Sequence, residues 1–449
     1  MSVLSLGELA REVVARARPG EQVEAFVARS NSTTVRVYEG ELESLTSGQS
    51  HGVGVRVVVD GRQGFASAGL LDRDAVLEVL SEARANAAYA EVDPCVGLAE
   101  PDGVPLPELD LADVAGVRDL PEQAKIDMAT YIEARARGAD PRIESVRTTI
   151  WSDSWGEVAI ASTTGIDVGS VGASCSVAVS PIARDGDDTQ IGFAGDGARR
   201  PGDLDVDRVV NDAVERATGM LGATKPASER LTVVLDRPVA AAFVGIVAGM
   251  LTGGQVVKGR SPFADRLGQQ VAADAVSLVD DPTDVRSLGA DEHDGEGLAT
   301  RPNTLIACGV LSGFLYDTYS ARRGDVTSTA SAVRGYGSVP VAGAQALQLA
   351  PGDISQDELV AAVGEGFFVD SVSGLHSGVN PVSGDFSVGV TGRRIRGGVL
   401  GEPHREATIA STLQRMLLDV VLVGGDLEWR PGGTGSVSLA IADVALSGT

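Results

Sequence analysis

Histidine and cysteine are scarce in this chain. The four histidines stand at 51, 293, 376 and 404, no two close enough to share a helix face. The paired-histidine helix of a common zinc hydrolase is therefore absent, and a metal site would have to be assembled from distant loops. Cys95, Cys175 and Cys308 are widely spaced with no C-x-x-C, which argues against a disulfide framework and a cysteine zinc site. Positive charge is also in deficit: 37 Lys+Arg face 62 Asp+Glu, a formal charge of −25. A surface of that sign repels phosphate backbones, so no nucleic-acid partner is expected. No run approaches the roughly 18 uninterrupted apolar residues of a membrane span. Residues 1–18 lack the basic and apolar regions of a signal peptide, so the reading is a cytoplasmic protein without a membrane partner.

What is present points to strands. Hydrophobic residues make up 43% of the chain but aromatics only 4%, leaving Val, Ala and Leu to build the interior. Valine-rich runs favour strands. Glycine, at 56 of 449 residues, sits between many of these runs, as tight turns require. The length exceeds what one hydrophobic core usually serves, so several domains are expected.

Leu6, Leu9, Ala10, Val13, Val14 and Ala17 line one face of an opening helix. Strands over 24–29, 33–39, 52–59 and 62–67 follow, and Asp72 caps a helix over 75–90. Together these form an N-terminal α/β domain, residues 1–92. The Pro- and Asp-rich stretch 93–120 reads as a linker. A middle α/β domain, 121–224, opens on a helix bracketed by Pro121 and Gly138. It continues with strands over 142–151, 158–162, 171–180 and 190–193 and a helix over 206–221. From 225 to 449 short strands predominate (231–235, 304–310, 367–372, 386–391, 420–423, 437–444), with helices over 238–251 and 409–418. The expected fold class is α+β, N-terminal strand-helix units followed by a β-rich C-terminal domain with a few helices.

Two local patterns suggest chemistry and fall short of it. Gly254 to Ser261 approximates the phosphate-cradling G-x-x-x-x-G-K-[ST], but Arg260 replaces the lysine, a helix precedes it and Pro262 follows. Asp291-Glu292-His293-Asp294-Gly295-Glu296 lacks the oxygen-ligand spacing of a cation loop and reads as a solvated, flexible acidic loop. The densest stretch is Gly374-Leu375-His376-Ser377-Gly378-Val379-Asn380-Pro381-Val382-Ser383-Gly384-Asp385-Phe386-Ser387. Its glycines and short polar side chains suit either a turn built by Asn380 and Asp385 or a contact surface for a peptide or partner.

That stretch resembles the G-x-H-S-G-V-N-P-V-S-G-D-F-S signature of the PmbA/TldE branch of the TldD/PmbA family, once labelled modulators of DNA gyrase. Similarity extends to Tyr316 to Arg323, to Lys258-Gly259-Arg260-Ser261-Pro262-Phe263 and to Val279 to Pro282. In the family, the TldD-type subunit carries H-E-x-x-x-H and a later cysteine as its zinc site. Counted back from Phe263, those positions fall here on Val244, Gly245 and Gly249, and residues 432–449 hold no cysteine. The resemblance therefore implies no catalytic, cofactor-binding or metal-binding residue in this chain. It implies a heterodimer with a TldD-type catalytic subunit that holds zinc and acts on extended or unfolded peptides. Candidate cleft or partner-interface residues are His376, Ser377, Asn380, Ser383, Asp385, Tyr319, Arg322, Arg323 and Arg260. Two other readings compete: a stand-alone metal-independent enzyme using His376 with Asp385 as an acid/base pair, and a regulatory binding protein without a peptidase partner.

Overall fold

The computed structural model describes residues 5–111 and 114–448. The first four residues of the N-terminal stretch, positions 112 and 113 of the expected linker and Thr449 lie outside them. The chain is α+β, as the pattern of elements predicts. One seven-stranded sheet draws on both the 1–92 and the 121–224 segments. Its long antiparallel strands are β1 (Gln22–Tyr38), β2 (Glu41–Val59), β3 (Arg62–Ala68), β4 (Ile143–Ser162) and β5 (Asp167–Asp185), with β1 lying between β2 and β4.

The expected breaks within β1 and β4 do not occur. Asn31 and Ser32 stay in strand because β2 and β4 pair with them on both sides, through Gln49 and Trp155 and through Gly48 and Ser154. Two-sided ladder pairing satisfies every backbone group, and that outweighs the turn preference of a polar dipeptide. Helices Leu6–Val14 and Arg73–Tyr89 bury one end of the sheet against Val23, Val27, Val55 and Val57. Glu122–Gly138 and Val206–Thr218 bury the other against Val35, Trp151, Val177 and Val179. Between the two cores the strands carry Ser, Thr and Gly and remain largely exposed.

In the C-terminal part, strands 385–396, 366–373, 229–235 and 439–448 pair in that order, and 399–412 bonds both 385–396 and 439–448. The sheet thus closes into a small barrel, and closure removes free edges. The expected helix over 409–418 begins only at Leu413, because Ile409 is held in the barrel by Val388 and Leu446. Helix Arg237–Met250 buries Val239, Ala240, Phe243, Val244 and Val247 in the core that fills this part.

The two parts meet closely at Gly52 and Gly54 of β2. A Cβ on Gly52 would lie 2.4 Å from the Tyr336 ring, and one on Gly54 would lie 2.2 Å from the Tyr336 carbonyl oxygen. Only glycine lets the 334–338 loop seat there.

Candidate functional site

Helix Thr318–Arg323 is capped by Asp317, whose carboxylate accepts the Ser320 amide at 3.0 Å. The helix grips the 93–98 stretch. Tyr319 donates its hydroxyl to Asp93 at 3.0 Å, Arg322 donates to the Leu98 carbonyl at 2.8 Å, and Arg323 lies 3.6 Å from Asp93. The Arg322 guanidinium packs directly over Gly97, where a Cβ would lie 2.2 Å from its Nη1 and push it aside. The 93–99 segment is thereby tied down as a strap, with Leu98 and Ala99 buried.

Beside this helix opens a cleft of about 340 Å³ between the sheet and the C-terminal part. Arg56, Asp93, Lys258, Tyr319 and Val341 are among its walls. Lys258 makes no ion pair among the described residues, and neither does Arg260. Arg260 is exposed on the loop that follows helix Arg237–Met250 and its short continuation, its amide bonded to the Gln255 carbonyl.

The floor of this region is a buried charge cluster that sequence reasoning missed. Arg56 donates to Glu24 at 2.9 and 2.7 Å and to Glu296 at 3.4 Å, and Arg334 donates to Glu24 as well. All four side chains are almost completely buried. Burial opposes ionisation of Glu24, but the two guanidiniums outweigh it and hold its carboxyl at about 2. Glu296 also accepts the amide of Thr318 at 2.8 Å, coupling the cluster to the start of the helix.

The expected solvated acidic loop is thus corrected. His293, Asp294 and Glu296 are buried, at 4%, 1% and 1% exposure. Asp294 accepts the amides of Glu296, Leu298 and Ala332 at 2.9 to 3.0 Å, so it organises the turn from within. Burial first, and then the neighbouring Glu296 charge, push its carboxyl up to about 7. The only hint available in the sequence was Gly295 and Gly297 punctuating the acids.

Residues 374–384 form a self-bonded, largely exposed loop between barrel strands 366–373 and 385–396, and 385–387 begin the second of these strands. Gly374 adopts the left-handed conformation, and Ser377 returns its hydroxyl to the Gly374 carbonyl at 3.2 Å. The Asn380 side chain accepts the amides of Val382 and Ser383, and Ser383 donates to Asp385 at 2.7 Å. Gln414 pins the loop from below through the Ser383 carbonyl at 3.1 Å. His376 is exposed on the turn Leu375–Gly378. No hydrogen bond among the described residues joins it to Asp385, so the acid/base reading has no geometric support. Nor does any hydrogen bond or ion pair link this loop to Tyr319, Arg322, Arg323 or Arg260 among the described residues. Tyr319, Arg322 and Arg323 share one helix, while Arg260 and the 374–387 residues are held by separate local contacts.

The Val244, Gly245 and Gly249 positions lie on helix Arg237–Met250. Val244 is buried at 2% exposure, while Gly245 and Gly249 are exposed, and a Cβ on either would meet nothing within 4 Å. Among the described residues, no group of three or more His, Cys, Asp or Glu is arranged to hold a metal ion. No described helix is long and apolar enough to cross a membrane.

Three family models match in sequence: PmbA/TldA metallopeptidase domain 1 over 23–87, the central domain over 116–221 and the C-terminal domain over 228–448. The chain is similar to the metalloprotease PmbA of Escherichia coli O157:H7, 27% identical across 91% of this chain and 88% of that protein. It is 25% identical to a TldD homolog of Haemophilus influenzae, across 89% of this chain and 87% of that one. A Thermotoga maritima crystal structure described as a modulator of DNA gyrase superposes with a TM-score of 0.90 at 25% identity, covering 99% of this chain and 100% of that one. The crystal structure of TldE from Thermococcus kodakarensis shares the fold, with a TM-score of 0.90 at 22% identity over 98% of this chain and 99% of that one.

Proposed function

The chain belongs to the PmbA/TldD metallopeptidase family, and from that premise we propose that it is the non-catalytic, TldE-type subunit of a two-chain zinc peptidase. The observation that carries this reading is the residue type at three positions of helix Arg237–Met250. Where the resemblance places imidazoles and a carboxylate, the chain has a core valine and two glycines with open space above them. None of these side chains has a donor atom, so the family's metal does not fit here. Zinc belongs to the TldD-type partner, and no step of hydrolysis is assigned to this chain.

This chain's part is to complete the peptide-receiving surface in the cytoplasm. The open cleft beside Tyr319 offers Lys258, which has no carboxylate partner among the described residues and suits a peptide carboxylate. The rigid 374–387 loop presents His376, Ser377, Asn380 and Asp385 to a neighbour without needing to order on contact, which lowers the entropic cost of assembly. Extended or unfolded peptides fit such a surface through backbone pairing.

Co-expression with a TldD-type relative from the same cell tests the reading. An affinity tag on this chain should retain both proteins in equal amounts. Recovery of this chain alone, with the relative folded and unbound, would count against it.

A further inference from the structure

Lysine is rare in this chain: only Lys125, Lys225 and Lys258 occur among 37 basic residues. Lys125 is buried 2.8 Å from Asp153, and Lys225 lies 3.0 Å from Glu406. Lys258 is the one of the three without a carboxylate partner among the described residues, and it stands in the wall of the cleft beside Tyr319. A second donor there is also unspent. Arg56 faces Glu24 directly across the β1–β2 ladder, which spends its Nε and Nη2 on that carboxylate, and Nη2 reaches on to Glu296. Its Nη1 has no hydrogen-bond partner among the described residues and is not sealed from solvent. Because Arg56 is only 3% exposed and lines the cleft, Nη1 is the edge that it turns to the opening. Gln63, on the same face of the neighbouring strand and on the same wall, makes no side-chain hydrogen bond among the described residues.

Charge and shape narrow the ligand. A guanidinium edge held in place by two buried carboxylates, together with a free ammonium, suits an anion. Asp93 and Asp317 stand in the same walls, the first held by Tyr319 and Arg323 and the second by Ser320, and these fixed carboxylates oppose a second negative charge on whatever binds. Val96, Val257 and half-exposed Val341 supply an aliphatic side to the cleft. Its volume of about 340 Å³ is at the low end of the roughly 300–1,000 Å³ of small-molecule sites, which suits a chain end better than a long segment. We propose that this cleft binds the free α-carboxylate of an aliphatic residue, the carboxylate between Arg56 and Lys258 and the side chain against Val96, Val257 and Val341. The residue is the end of a peptide or a free amino acid. The peptide source rests on the peptidase reading, whereas the binding itself concerns this chain alone.

Isothermal titration calorimetry on the full-length chain alone tests it, and failure there leaves the co-purification test of the TldE-type reading untouched. N-acetyl-alanyl-leucine and free leucine distinguish the two sources, and saturable one-to-one binding of at least one of them is expected. The C-terminal amide of whichever binds should bind at least about tenfold more weakly, and Lys258→Met should weaken the acid by a similar factor, since each removes a charge-assisted hydrogen bond. Lys258 is exposed, so its loss does not threaten folding, and Lys225→Met serves as the control that should change nothing. Replacing the ligand's leucine by aspartate, which adds a charge and removes the aliphatic contact, should also weaken binding. The absence of saturable binding with both ligands overturns the proposal. So does an amide that binds as tightly as the acid, binding indifferent to Lys258→Met, or inorganic phosphate that displaces the ligand at equal concentration.

Discussion

Arg56 on β2 and Glu296 in the C-terminal part lie 3.4 Å apart, both sealed from solvent, and Glu24 takes the other side of the same guanidinium at 2.7 Å. The sheet and the C-terminal part therefore share one buried charge. Neither part can leave without exposing an unpaired carboxylate or guanidinium, so this contact fixes the walls of the cleft beside Tyr319.

Arg56→Met should accordingly destabilise the chain by about 3–5 kcal/mol, because Glu24 and Glu296 remain buried with half their compensation gone. The exposed pair Arg29–Glu157 serves as control, and Arg29→Met should cost less than about 1 kcal/mol. Urea unfolding of both variants checks the contrast; equal losses would contradict it.

Asp370 gives a pH dependence with a definite sign. Its carboxyl is buried and keeps one oxygen without a partner, and burial, only partly offset by Arg393 at 3.1 Å, pushes it from 3.8 up to about 6. The folded state then holds the proton more tightly than the unfolded chain. Its contribution is full below about pH 4 and declines as pH rises toward 6, by up to about 1.4 kcal/mol per unit. Asp370→Asn should remove that slope. Melting temperatures of both proteins should diverge between acid and neutral pH in favour of the variant, and parallel curves would contradict the assignment.

The open glycine face of helix Arg237–Met250 makes a separate prediction. Gly249→Ala should stabilise the isolated chain by about 0.5–1 kcal/mol, since alanine loses less entropy in a helix and its methyl group meets open space. A loss of stability measured by thermal unfolding would mean that this face is occupied within the chain.

Asn380→Ala should free the 374–387 loop, which depends on that side chain for two of its bonds. The chain should keep its melting temperature within a few degrees, while partner-dependent peptide cleavage falls at least about tenfold. Cleavage unchanged in this variant would assign the loop a purely local role.

Much of the fold was legible where local chemistry and tertiary structure agree. Asp72 caps its helix, its carboxylate accepting the Ala75 amide at 3.0 Å. The apolar ends of β1, β2 and β4 were legible too, because helices cover them. What escaped the sequence is what long-range partners decide. Asn31 and Ser32 look like a turn and are strand because two neighbours pair with them. Asp294 and Glu296 look solvated and are buried, because Arg56 lies 240 positions before Glu296 and the amide of Ala332 lies 38 after Asp294. Of the candidate residues, the 374–387 signature could be read directly. The role of Tyr319 and Arg322 in holding the 93–98 strap could not, since their partners lie more than 220 positions away.

The account rests most directly on where zinc is held. Metal content and peptide cleavage should be measured on this chain alone, on a TldD-type relative alone and on the two combined. The account predicts no stoichiometric zinc and no cleavage for this chain, and zinc with cleavage for the combination. Stoichiometric zinc and peptide hydrolysis by this chain alone would contradict it.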